Sequence, residues 1–264
     1  MASPGMAGYA ALVQQFFKEG YYPSGVMNPA DAFTPSGALV KAMLVHSGKD
    51  LKYVTHNDGT KTSTYGYPSY VQGYGKVFIS DILSCRNILV IGDTNKTSLR
   101  HASLSSTDVT HRYSIVAPLG PSSIRVTLTY TDLVGSAGSI RPLVNDLELR
   151  VKLNAEIYIP YYDGYSDINN VEMIDIDNPC PGCIYSIEVR AVNISAIQPY
   201  ALVATSCITT GKGESKDGPL SFKTFLVIAV CSVVAVAVIL YYIRVQLIKH
   251  GVSEVAIAAE PTKL

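Results

Sequence analysis

Residues 124–130 read Ile124-Arg125-Val126-Thr127-Leu128-Thr129-Tyr130, and this run sets the architecture of the larger half of the chain. Apolar and polar residues alternate strictly. A strand sends successive side chains to opposite faces, so the pattern predicts a strand with one buried face and one wet face. Ile124, Val126, Leu128 and Tyr130 are expected to face a core, and Arg125, Thr127 and Thr129 to face water.

The same period recurs downstream. Leu147, Leu149, Val151 and Leu153 alternate with Glu148, Arg150 and Lys152, and Tyr185, Ile187, Val189 and Ala191 alternate with Ser186, Glu188 and Arg190. Turn signals separate the runs, among them Pro118-Leu119-Gly120-Pro121, Asp163-Gly164 and Pro181-Gly182. Several such strands predict a two-sheet sandwich over residues 88–207. A chain rich in Tyr (18 residues) and lacking Trp fits that reading.

Upstream the period changes to that of a helix. Met6, Ala10, Val13 and Phe17 fall on one face of a helix from Ser3 to Phe17, and Gly20 suits its stop. A second helix is expected from Thr34 to Val45, with Thr34 as N-cap and Pro35 in the first turn. Apart from Lys41 it is apolar nearly all round, so it is expected to be covered on most sides.

The chain has 264 residues and a formal net charge of zero, which gives no electrostatic basis for binding nucleic acid. Phe225 to Ile243 reads FLVIAVCSVVAVAVILYYI, without charge, Pro or Gly. As a helix it reaches about 28 Å, near the thickness of a bilayer core. Lys223 and Arg244 bracket it. A transmembrane helix in contact with lipid is therefore expected at residues 225–243.

The first residues, Met1-Ala2-Ser3-Pro4-Gly5-Met6-Ala7-Gly8, carry a motif. They resemble the segment that follows the nucleophile in subtilisin-like serine proteases, Gly-Thr-Ser-Met-Ala-x-Pro-x-x-Ala-Gly, matched at Met1, Ala2, Pro4, Ala7 and Gly8. Two further landmarks follow in order: the helix around Ala38 to Val45, and Gln72-Gly73-Tyr74-Gly75-Lys76-Val77, which resembles the family's closing signature. Pro142 to Leu149, Asn169-Asn170-Val171-Glu172 and Gln198 to Val203 resemble strands of the C-terminal jelly-roll domains of large subtilisins.

The resemblance implies a chain that is α+β overall. C-terminal helices of a subtilisin-type α/β domain occupy 1–82 and an all-β jelly-roll-like sandwich 88–207. A linker (208–224), one transmembrane helix (225–243) and a cytosolic tail (244–264) complete it. Such a protein is a single-pass membrane protein with its N-terminal side extracellular or lumenal. In this family Asp, His and Ser act in that chain order. The nucleophile would thus immediately precede Met1, and this chain carries no catalytic residue. Ser3 fills a variable position of the motif. The implied function is part of a membrane-anchored subtilisin-like endopeptidase, inactive alone and acting on protein or peptide substrates only with its catalytic half. The alternative is a non-catalytic, membrane-anchored surface protein that uses its sandwich for binding. With the central sheet of the protease missing, Met6, Val13, Phe17, Leu39 and Met43 are expected to be exposed.

None of the five histidines (His46, His56, His101, His111, His250) lies in a nucleophile-elbow or helical metal-binding pattern. Asn95-Lys96-Thr97 and Asn193-Ile194-Ser195 are glycosylation sequons. Cys180-Pro181-Gly182-Cys183 has three readings: a redox pair, half a zinc site or a local disulfide. No further zinc ligands lie nearby, and no helix N-terminus is expected to lower a thiol pKa, so a small-loop disulfide is favoured outside the cell. Cys85 and Cys207 form a second bridge or remain free, and Cys231 lies in the apolar span. No metal or cofactor is required, although Asn145, Asp146, Asp163 and Asp167 offer oxygen ligands of the kind calcium takes.

Overall fold

The computed structural model describes residues 2–64, 66–85, 87–92, 102–120, 122–160 and 168–208. Three α-helices and a series of antiparallel strands make up this part. The helices are α1 (Ala2–Lys18), α2 (Gly37–His46) and α3 (Ile79–Leu83). Short pairs accompany them: β1 (Gly48–Lys49) with β4 (Lys76–Val77), and the hairpin of β2 (Tyr53–Thr55) and β3 (Lys61–Ser63).

Two larger sheets follow. One contains β5 (Ile88–Ile91), β8 (Ser123–Tyr130), β11 (Val171–Asp177) and β13 (Gln198–Ile208), ordered β11-β8-β13-β5, with β6 (Ser103–Leu104) also on β13. The other contains β7 (Thr110–Val116), β9 (Asp146–Leu153), β10 (Glu156–Tyr158) and β12 (Ile184–Asn193), ordered β10-β9-β12-β7. Ile124, Val126, Leu128 and Tyr130 of β8 meet Leu147, Leu149 and Val151 of β9 and Tyr185, Ile187 and Val189 of β12 in one core between the sheets.

The outer faces of the two sheets differ. On the outer face of β7, β9 and β12 the polar residues pair with one another: Glu188, largely covered by its partners, with Arg112 (3.1 Å) and Lys152 (2.7 Å), and Glu148 with Arg150 (2.8 Å). On β8 every residue from Ser123 to Tyr130 is buried. The expected wet face of Arg125, Thr127 and Thr129 is dry because α2 lies across β8 and β13. Val13, Phe17, Leu39 and Met43 are fully buried in a second core that includes Val90, Ala201 and Val203 from this sheet. Their expected exposure is corrected, since the sandwich itself supplies the missing cover; Met6 remains 37% exposed. The layers run helices, sheet, sheet.

Local chemistry fixes the helix ends. Gly20 follows α1 at φ +73°, and a Cβ there would meet the Asn28 carbonyl oxygen. Helix α2 starts at Gly37 rather than Thr34: Ser36 is the N-cap, its hydroxyl accepting from Leu39 N at 3.1 Å. Pro35 disfavours helical geometry at Thr34, so the cap moves to the next hydroxyl in the chain. Gly75, at φ +73°, lets the chain pass against the Lys49 carbonyl before β4 and α3.

The architecture expected from sequence is corrected in two respects. The described part is mainly β, with three short helices lying on a sheet, so the α+β description with a terminal transmembrane helix does not hold. No helix among the described residues is long and apolar enough to cross a membrane. The longest, α1, has 17 residues and carries Gln14, Gln15 and Lys18 exposed to solvent. The apolar run at 225–243, with its expected lipid contact, lies outside the described residues. A single-pass membrane protein is accordingly not supported.

Candidate functional site

The most elaborate chemistry among the described residues lies at the joint between α2 and the sheet. Arg125 points outward from β8 and is fully buried. Its guanidinium donates to both Asp175 carboxylate oxygens, Nε at 2.5 Å and Nη2 at 2.8 Å. Nη1 donates to the carbonyls of His46 (2.8 Å) and Gly48, at the end of α2. A helix C-terminus presents unpaired carbonyls and partial negative charge, which a cation complements. Tyr67 lies 5.5 Å from the guanidinium and donates its hydroxyl to the Gly48 carbonyl at 2.8 Å. The same burial raises the Tyr67 pKa to about 12, so it remains a donor.

His46 closes the last turn of α2 and is fully buried. Nδ1 lies 2.9 Å from the Thr127 hydroxyl and Nε2 2.8 Å from the Thr205 hydroxyl. A neutral imidazole has one donor and one acceptor, and rotatable hydroxyls satisfy both. Thr129 extends the row by donating to the Ala38 carbonyl at 2.7 Å. The polar stripe of β8 therefore pairs, residue by residue, with the helix covering it.

Burial, reinforced by the Arg125 charge, holds the His46 pKa well below its ordinary value. In the unfolded chain the ring titrates near about 6.5. As pH falls through that value the unfolded chain takes a proton that the native state refuses, so stability is lost on acidification. Below about pH 6.5 this one group contributes a slope of about 1.4 kcal/mol per pH unit until the native ring protonates. Urea unfolding of the protein and of His46→Gln, compared from pH 7.5 to pH 5, checks this. The glutamine variant is expected to show the shallower loss.

This joint is closed to substrate, and its one serine along the chain, Ser47 between His46 and Gly48, donates its hydroxyl to the Leu44 carbonyl at 2.8 Å. Among the described residues the other histidines pair elsewhere: His56 with Thr62 (2.8 Å) and His111 with the Tyr200 hydroxyl (2.8 Å). His101 and His250 lie outside the described residues. No histidine contact described here is to a serine or a carboxylate, so no nucleophile–base–orienter arrangement forms among these residues.

The motif residues Ala2, Pro4, Ala7 and Gly8 occupy the first turns of α1 and are exposed, as is Ser3; Met1 lies outside the described residues. The helix is thus anchored on one face by Val13 and Phe17 in its C-terminal half and bare at its start. Asn193 is exposed at the end of β12, and Asn95 lies outside the described residues. Cys180 and Cys183 are joined by a disulfide with Cα atoms 5.4 Å apart, and Cys85 is also disulfide-bonded.

Asn145 is fully buried and serves as a structural corner. Its side chain accepts from Ser195 N (2.7 Å) and donates to Gln198 Oε1 (2.8 Å). Its backbone N–H donates to Asp132 at 3.0 Å. Its amide oxygen is thus engaged by protein, while Asp163 and Asp167 lie outside the described residues. No group of three or more His, Cys, Asp or Glu among the described residues is arranged to hold a metal.

Sequence reasoning missed His46, Arg125 and Asp175. The available signal was α2, too apolar to rest on anything but a buried surface.

No family profile matches the chain. It is similar to the serine protease/ABC transporter B family protein tagA of Dictyostelium discoideum, 29% identical over 223 residues, covering 78% of this chain and 12% of that protein. It is also similar to tagD of the same family and organism, 25% identical over 219 residues, covering 70% of this chain and 12% of that protein. The matched region is thus about an eighth of the length of these relatives. These similarities connect the chain to serine protease-related proteins.

Proposed function

We propose that this chain is the part of a subtilisin-like serine endopeptidase that follows the nucleophile, with residues 1–82 closing the catalytic domain and residues 88–207 forming an appended β-sandwich. The complete enzyme hydrolyses peptide bonds through an acyl-enzyme, in which a serine attacks, a histidine moves the proton and an aspartate orients the histidine. Those three groups belong to sequence N-terminal to Met1, and the present chain is inactive alone. Its contribution is mechanical: α1 carries the motif at its start and is anchored at Val13 and Phe17 on a rigid sheet.

The observation that carries this reading is the division of α1. The motif residues from Ala2 to Gly8 are all exposed, while the later turns bury one face through Val13 and Phe17, as expected of a helix whose start seats in further protein. The order of the three landmarks and the serine protease names of tagA and tagD support it. Asn193, exposed in its sequon, is the proposed glycan acceptor within the described part.

Labelling with a fluorophosphonate, which modifies only activated serines, tests the proposal. The chain alone is expected to remain unlabelled and to cleave no peptide. A longer product including the sequence encoded upstream is expected to label at a serine just before Met1. Labelling of any serine within the present chain would overturn the proposal.

A further inference from the structure

We infer that the Cys180–Cys183 disulfide is a surface site for reversible thiol–disulfide exchange with a dithiol protein. The bond closes the turn between β11 and β12, where the chain crosses from one sheet to the other. Cys180 is exposed and Cys183 half-buried, so the Cys180 sulfur is the one offered to an attacking thiolate.

The turn does not depend on its sulfurs. Cys183 N donates to the Cys180 carbonyl (3.1 Å), Gly182 N to the Ala117 carbonyl (3.1 Å) and Ala117 N to the Cys183 carbonyl (2.9 Å). Cys180 N donates to the Tyr185 hydroxyl at 2.9 Å, and Tyr185 is itself buried between the sheets. Gly182 takes the positive φ (+74°) that the turn requires. A cross-link between residues three apart also removes little entropy from the unfolded chain. The bond adds little to a turn already held by four hydrogen bonds, and what it adds is chemistry.

The surroundings suit a protein reactant. Leu119 is 85% exposed, and its Cδ2 lies against Gly182. Ile184 (65% exposed) and Val116 (49%) are cross-strand partners where β12 and β7 meet the turn. Three exposed apolar side chains thus lie beside the turn that carries the disulfide, a surface on which the apolar rim around another protein's thiol can seat.

The step balances. A thiolate of the partner attacks Cys180 Sγ, the S–S bond breaks, and Cys183 leaves as a thiolate that takes a proton. The partner's second thiolate attacks the mixed disulfide and releases Cys180. The pair gains two electrons and two protons while the partner's dithiol becomes a disulfide. The inference is independent of the proposed protease reading.

The test treats the native full chain with reduced thioredoxin, alkylates free thiols and maps the labelled peptides. Cys180 and Cys183 are expected to become labelled while the protein stays folded, with Tm lowered by about 3 °C or less. With thioredoxin whose resolving cysteine is replaced by serine, the remaining thiolate attacks the intact bond, and the mixed disulfide is expected to be trapped at Cys180 in preference to Cys183. The double variant Leu119→Ser/Ile184→Ser is expected to slow reduction by thioredoxin about fivefold or more, the loss of about one apolar contact. Its reduction by dithiothreitol should be unchanged. Labelling that occurs only on unfolding, equal trapping at both cysteines, or an unaltered thioredoxin rate in the double variant would overturn the inference.

Discussion

Replacing Arg125 with methionine is expected to destabilise the protein by about 3–5 kcal/mol. The residue sits in the sheet with no solvent exposure, and its side chain serves two layers at once. It neutralises Asp175 through a bidentate pair and satisfies the His46 and Gly48 carbonyls that end α2. Methionine fills much of the same volume but leaves a buried carboxylate without its cation, removes the Arg125 donor from the His46 carbonyl and leaves the Gly48 carbonyl to Tyr67. For a described region of this size the loss corresponds to about 6–20 °C in Tm. Adding Asp175→Leu removes the orphan charge and is expected to recover part of the loss. The recovery is partial because the His46 carbonyl still lacks the Arg125 donor. A single variant within about 1 kcal/mol of the parent would show that the pair faces water in solution.

Phe17→Ala is expected to cost a similar amount, about 3–5 kcal/mol, for a different reason. Phe17 has no solvent exposure and packs against Phe33, Tyr22 and Phe16, with ring centroids 4.8, 6.1 and 5.2 Å away. Truncation opens a cavity where α1, the following loop and the sheet meet, and a β-sheet beneath cannot collapse to fill it. Leu12→Ala, one turn earlier and 47% exposed, serves as the control and is expected to change stability by about 0.5 kcal/mol or less. Thermal unfolding of both variants separates a buried anchor from a loosely attached helix. Equal small effects would mean that α1 does not belong to the core.

The strands were legible because alternation has a direct geometric meaning. Ile124, Val126, Leu128 and Tyr130 face the partner sheet, and the polar residues of β7, β9 and β12 carry an ion-pair network on the outer face. Arg125, Thr127 and Thr129 misled for a physical reason. Polar residues mark a wet face only when nothing offers them partners, and here α2 brings its C-terminal carbonyls, the His46 ring and the Ala38 carbonyl into register with them. A sequence records which groups need hydrogen bonds but not whether water or protein supplies them. The burial of α2 could be read from its composition, whereas the surface it rests on could not. The apolar faces of α1 and α2 illustrate the same limit, because burial of Phe17 and Met43 required a partner that local periodicity does not name.

The central claim is that the helices are an integral cover of the sandwich, locked to it through Arg125 and His46. Native-state hydrogen exchange on the full chain tests it most directly, by comparing amides of α2 with those of β8 and β13. The account predicts that the three segments share one opening free energy and lose protection together as denaturant rises. Exchange of α2 at least about a hundredfold faster than the strands, a gap of about 2.7 kcal/mol with both sheets still protected, would contradict it.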